Sequence, residues 1–339
     1  MVAEWEVNVL VENIKVPTGN ICVIQGEKGL LEFVSVQDYG KQKNIKADFL
    51  GLKDEINGVP HGELLPLTEK WVITISTQYG CSMGCKFCDV PYVGKGINAT
   101  NWDLANQIIA GLNLHPEITA TKRLNIHFAR MGEPTWNPEV LQTAKDLHGI
   151  VYDYINNSLI HPVVSTMMPK HNKDLIWFLN EWMDIKNNTY RGDAGLQLSI
   201  NSTSDNERNE MFNNNSLSLE EISGIVKDLD FPKGRKLTLN FALAGYEINA
   251  EKLVKLFDPK KFICKLTPMH VTWSCKGNNI LTSDGYDKFT PYQKVEQELK
   301  SVGFDVIIFV PSYEEDEGRI TCGNAILSGS RPYSRGIIN

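Results

Sequence analysis

The stretch Gln78-Tyr-Gly-Cys-Ser-Met-Gly-Cys-Lys-Phe-Cys88 decides how this chain is read. It sets Cys81, Cys85 and Cys88 in a C-x3-C-x2-C triplet with an aromatic residue just before the last thiol. Three thiolates on one short loop can turn inward together, hold three irons of a [4Fe–4S] cube and leave the fourth iron open to a ligand. Other uses of the triplet fit less well. A structural zinc site draws four ligands, usually from two separated pairs. The other cysteines, Cys22, Cys264, Cys275 and Cys322, stand singly. A disulfide framework suits a small secreted chain, not 339 residues with seven cysteines.

Outward from the triplet, the chain alternates strand-like and helix-like segments. Apolar runs at about 71–77, 123–129, 162–166, 196–201, 236–242, 262–268 and 305–309 predict strands. Helical patterns lie between them at about 101–114, 138–156, 172–186, 219–229, 249–257 and 291–302, with Thr100 as an N-cap and Pro138 and Pro291 in first turns. This rhythm predicts an α/β fold, a parallel sheet wrapped by helices as a partial (βα)6 barrel, with chemistry gathered at the C-terminal strand ends. The cysteine loop follows the first such strand. Before it, short alternating runs at 5–12, 20–25, 30–37 and 45–50 predict a small antiparallel β-rich segment. The expected division is a β-rich domain over 1–65 and the barrel with a C-terminal extension over 66–339.

Composition is that of an ordinary globular protein, with 42% hydrophobic and 22% charged residues. No apolar run is long enough for a membrane helix, and the first residues lack the basic and apolar regions of a signal peptide, so a cytoplasmic location is expected. The net charge of −7 gives no general attraction to nucleic acid.

Several strand ends carry groups suited to a polar ligand. Gly132 permits close backbone approach, Glu133 offers a carboxylate to a cationic amino group, and Pro134 stiffens the turn. Ser165, Ser199 and Asn201 present short hydroxyl or amide groups.

These motifs together resemble the radical S-adenosylmethionine (SAM) enzymes, and among them the RlmN/Cfr family of rRNA adenine-carbon methyltransferases. The likeness rests on the cysteine loop, Met131-Gly-Glu-Pro134 with Asn137, and Val164-Ser-Thr166. It continues through Leu198-Ser-Ile-Asn201 with Arg208, Leu266-Thr-Pro-Met-His270 and Thr321-Cys-Gly-Asn324. The resemblance implies a radical SAM barrel, a [4Fe–4S] cluster on the triplet, and SAM bound by Gly132, Glu133, Pro134, Ser165, Ser199, Asn201 and His270. It also implies a methyl-carrying cysteine at Cys322, whose methyl group would lose a hydrogen to a 5′-deoxyadenosyl radical and add to an sp2 carbon. The substrate would be RNA, a nucleotide or another small molecule, and a flavodoxin- or ferredoxin-like partner would supply electrons. The chain also departs from the family. Thr74 stands where the family has a second, resolving cysteine, and threonine cannot form the releasing disulfide. Asn201 and His270 replace a histidine and an asparagine, and the family's helical RNA-binding region has no counterpart. Cys275 is a candidate substitute for the resolving thiol. A radical SAM reaction without a methyl-cysteine, and an iron–sulfur redox sensor, are the alternative readings.

Overall fold

The computed structural model describes residues 10–38, 55–56, 59–60, 64–156, 158–282, 292–309, 315 and 318–332. Ten of its strands form one sheet in simple chain order: β1 (Leu10–Val16), β2 (Gly19–Gly26), β3 (Gly29–Gln37), β4 (Trp71–Ile75), β5 (Arg123–Phe128), β6 (Leu159–Thr166), β7 (Gly195–Ser199), β8 (Leu237–Leu243), β9 (Phe262–Pro268) and β10 (Asp305–Ile308). The first three pair antiparallel, and β3 then pairs antiparallel with β4. From β4 to β10 every pairing is parallel. The sheet does not close, since β1 and β10 are its edges. This is the expected partial barrel with an antiparallel N-terminal segment.

The helices are α1 (Asn101–Leu112), α2 (Glu139–Val151), α3 (Leu175–Asp184), α4 (Asp205–Met211), α5 (Leu219–Lys227), α6 (Ala250–Leu256), α7 (Trp273–Gly277) and α8 (Tyr292–Ser301). Each parallel connection must cross back over the sheet, which is why a helix follows most strands. Thr100 caps α1 as its residue type suggests, in a reciprocal capping box with Asp103. Pro138 sits at the N-cap of α2 rather than inside its first turn. The short polar helix α4 and the five-residue α7 carry no apolar period and were not expected. Pro291 and the strand expected at 45–50 lie outside the described residues, as does the start of the strand expected at 5–12.

Alternation along the strands divides their side chains between two faces. Ile73 and Ile75 of β4, Leu124, Ile126 and Phe128 of β5, and Leu239 and Phe241 of β8 enter the main core beneath the helices. Cys22, Leu31 and Phe33 of the N-terminal strands share that core with Trp71. The opposite face, inside the barrel, is polar: Thr74, His127, Ser165, Gln197, Ser199, Asn240 and Lys265 are all half-buried there. An inner face of half-buried polar groups is not a packed apolar core.

Candidate functional site

The cysteine loop leaves the end of β4 and is fixed at both ends by the fold. Tyr79 donates its hydroxyl proton to Asp103 Oδ2 at 2.7 Å, and the Lys28 N–H donates to the same hydroxyl at 3.1 Å. The loop entrance is thereby tied to α1 and to the β2–β3 turn. Gly80 has φ +80°, and a Cβ there would lie 2.2 Å from the Gly94 carbonyl oxygen, so only glycine fits. Cys81 N–H donates to that carbonyl at 3.0 Å. Further on, Lys86 N–H donates to Met211 O at 2.9 Å, and Asn215 Nδ2 donates to Met83 O at 2.8 Å.

Cys81, Cys85 and Cys88 are all free thiols and lie against one apolar cluster with Met83, Phe87 and Phe212. Burial raises all three thiols; Cys81 is pushed up to about 11, Cys85 is raised further by the charges of Cys88 and Cys81, and Cys88 by those of Cys81 and Cys322. Among the described residues no three His, Cys, Asp or Glu side chains converge on a single metal ion. Three mutually repelling thiolates in apolar surroundings fit a cationic iron–sulfur group, whose charge would reverse that repulsion.

The next strand end carries Gly132 and Glu133. Gly132 has φ +96°, and a Cβ there would lie 2.6 Å from Gln78 Cβ, so the turn packs directly on the entrance to the cysteine loop. Glu133 is buried. Its Oε1 accepts from Thr135 N at 3.1 Å and from Thr135 Oγ1 at 2.7 Å, and its Oε2 accepts from Met167 N at 2.9 Å. The Thr166 side chain is a fourth hydrogen-bond partner, so the protein engages about all of the carboxylate's acceptor positions and a ligand must exchange for one of these donors. Burial raises its pKa against these bonds, and its charge is felt by Cys81 and Cys85. Pro134 opens the one-turn helix Pro134–Trp136 that shapes this corner.

The remaining expected residues differ in availability. Ser165 and Ser199 are half-buried on the barrel's inner face. Asn201 is buried with φ +59°; its Oδ1 accepts from Ala242 N at 2.9 Å and its Nδ2 faces Met211 Sδ at 3.3 Å, so its amide bridges β7 to β8. His270 is half-buried just beyond β9. Cys275 is fully buried in the cluster beneath the cysteine loop, with its thiol 3.6 Å from Phe87 O.

Cys322 comes to the loop from more than 230 positions away in sequence. Asp89 N–H donates to Gly323 O at 2.8 Å, and a Cβ on Gly323 would lie 3.2 Å from Phe87 O and 3.8 Å from Cys88 Cα. Cys322 is accessible, and its charge acts on both Cys85 and Cys88. Burial raises its thiol, while Lys265 and Arg130 pull it back down.

No sequence motif singles out the groups that hold this arrangement. Asp89 caps α7, its Oδ1 accepting from Ser274 N at 2.8 Å and its Oδ2 from Trp273 N at 3.2 Å. Arg130 Nε donates to Glu32 Oε1 at 2.8 Å, its Nη2 donates to Arg319 O at 2.8 Å, and Leu327 N–H donates to Glu32 Oε2 at 3.0 Å. One buried ion pair thus joins β3, the Gly132–Glu133 corner and the segment that carries Cys322. The Met-Gly-Glu-Pro run was a visible signal beside Arg130; Glu32 had none.

Sequence comparison agrees with this geometry. The chain is 24% identical over 269 residues to the dual-specificity RNA methyltransferase RlmN of Sorangium cellulosum, covering 77% of this chain and 63% of that protein. It is 30% identical over 197 residues to the probable RlmN of Bacteroides thetaiotaomicron, covering 57% of this chain and 52% of that protein. The chain is a divergent relative of the RlmN-type radical SAM methyltransferases. The likeness to the RlmN proteins is partial, since the chain spans little more than half the length of most of them; 54% of the probable RlmN of Thermotoga neapolitana is matched, at 28% identity. No family model matches the sequence. Among solved structures, a radical SAM methyltransferase from Sphaerobacter thermophilus superposes with a TM-score of 0.62 at 17% identity, covering 94% of this chain and 81% of that one. That likeness is one of fold. No helix among the described residues is long and apolar enough to cross a membrane.

Proposed function

We propose that the protein is a radical SAM methyltransferase of RlmN/Cfr-like type that carries the methyl group on Cys322. The observation behind this reading is the seating of Gly323 on Asp89 N–H, which holds Cys322 against the cysteine loop. In this reading Cys81, Cys85 and Cys88 hold a [4Fe–4S] cluster, and Glu133 accepts a hydrogen bond from the SAM ammonium in place of one of its protein donors. Gly132 lets the Glu133 corner pack against Gln78 at the cysteine loop, with Ser165 and Ser199 on the inner face beside it. When bound, the cluster and SAM supply a reductive cleavage that yields a 5′-deoxyadenosyl radical. Lys265 and Arg130 favour the thiolate of Cys322 that a methyl acceptor needs. The acceptor substrate, an RNA, nucleotide or other small molecule with an sp2 carbon, enters the polar barrel interior, and a flavodoxin- or ferredoxin-like protein supplies the electron.

Thr74 favours a second reading: radical chemistry without a methyl-cysteine. It lies on the inner face directly beside His127 of the neighbouring strand, where the family's resolving thiol would be expected. The by-products of SAM under anaerobic reduction separate the two. S-adenosylhomocysteine together with 5′-deoxyadenosine, and an S-methyl group on Cys322 by mass spectrometry, is the expected result. 5′-Deoxyadenosine alone, unchanged in Cys322→Ala, would establish the second reading.

A further inference from the structure

Inside the barrel, one cation has no acid of its own. Lys265 lies midway along β9 on the inner face, in register with Asn240 of β8 and Ile307 of β10. Its ammonium sits 5.0 Å from the centre of the Phe309 ring, and among the described residues it makes no hydrogen bond or ion pair. The neighbouring acids are committed elsewhere. Asp38 pairs with Lys70, Glu32 with Arg130, and Asp193 with Arg123 and Arg235. Lys265 is half-buried rather than sealed, so its head faces the cavity. The charges of Asp38 and Cys322 both favour its ammonium, although Asp38 is bonded to Lys70 and neither makes a direct contact with it. His127, on the opposite strand of that chamber, likewise has no hydrogen-bond partner among the described residues.

A half-buried ammonium that has a ring face but no anion beside it is only partly compensated, and a ligand anion supplies the missing charge. An aliphatic ammonium binds carboxylate or phosphate as a point charge. An RNA nucleotide flipped into an enzyme enters base first and leaves its phosphates near the surface. A lone cation in the chamber interior therefore matches a small free anion better than a residue of an RNA strand. We propose that Lys265 seats the anionic group, a carboxylate or a phosphate ester, of a small-molecule substrate bound inside the barrel beside Cys322. This rests on the radical SAM reading above and names its substrate class.

The test is anaerobic titration calorimetry of the cluster-loaded protein with inorganic phosphate and with acetate, in wild type, Lys265→Met and Lys265→Arg. One probe should saturate a single site, and which one does so decides between phosphate and carboxylate. Affinity should fall about ten-fold or more in Lys265→Met and stay within about three-fold in Lys265→Arg, because a charge-assisted contact is lost in the first and kept in the second. Iron content and SAM affinity should be the same in all three proteins. The proposal is overturned if neither probe saturates, if Lys265→Met binds as wild type does, or if Lys265→Met weakens SAM, which would make Lys265 a partner of the SAM carboxylate. Competition by an RNA oligonucleotide at equal phosphate concentration would overturn the choice of a small molecule. Failure of the radical SAM reading would appear differently, as wild-type protein that takes up no cluster and binds no SAM.

Discussion

Glu133 is a buried carboxylate held by Thr135, Thr166 and Met167, so it takes a ligand only by exchanging one of these donors. A charge-assisted hydrogen bond to an ammonium is worth about 1.5–3 kcal/mol, so Glu133→Ala should weaken SAM binding about ten-fold or more. Equilibrium dialysis on reconstituted protein with full iron content measures this; unchanged affinity would show that the carboxylate serves only Thr135, Thr166 and Met167. Asn201 illustrates the opposite case. Its residue type and strand-end position made it a ligand candidate, but the fold places it in a left-handed conformation and engages its amide between β7 and β8. Sequence position alone could not distinguish these two outcomes, because both residues are short polar groups at strand ends.

At the scale of elements, α1 is the support for the cysteine loop. Asp103 closes the capping box with Thr100 and also receives the Tyr79 hydroxyl and the Glu27 N–H. Loss of an N-cap side chain costs about 1 kcal/mol. Thr100→Ala should lower the unfolding free energy from urea titration by that amount, and Thr100→Ser should restore most of it. A Thr100→Ala protein as stable as wild type would show that Asp103 is held by Tyr79 and Glu27 alone. Thr100 was legible as a cap because capping depends on neighbours three residues apart. Helices α4 and α7 were not legible, since short polar segments acquire their helical form from what they pack against.

For the whole molecule, the Glu32–Arg130 pair connects the N-terminal strands to the site. Removing one partner of a buried pair leaves an uncompensated charge and costs about 3–5 kcal/mol. Glu32→Ala should be destabilised by that order in urea unfolding, and adding Arg130→Met should recover much of the loss. Additive losses in the double variant would show that the two side chains do not act as a pair. At the other end of the barrel, burial pushes His161 down to about 4, with Asp193 raising it and Arg235 and Arg123 lowering it. The unfolded chain therefore binds more protons than the folded one between about pH 6.5 and 4, and stability falls as pH drops through that window. The full effect is up to roughly 3 kcal/mol. His161→Asn should flatten this acid limb in a series of urea midpoints, leaving the part due to His127, which burial also holds well below its ordinary range. An acid limb of unchanged slope would remove His161 as its source.

The sequence by itself determined the βα order, the parallel strands, the cysteine loop and the Gly132–Glu133 corner. Those features arise from spacing within a few residues and from alternation along single strands, and both are local properties of the chain. It also marked Cys322, through the Cys-Gly motif, without placing it. Only the tertiary structure brought Gly323 onto Asp89 N–H, tied Glu32 to Arg130 and Leu327, and faced Lys265 and His127 into one chamber. These contacts join residues up to 295 positions apart. They depend on strand register and on the curvature of an open sheet, and a shift of one residue in either would turn the same side chains to the other face.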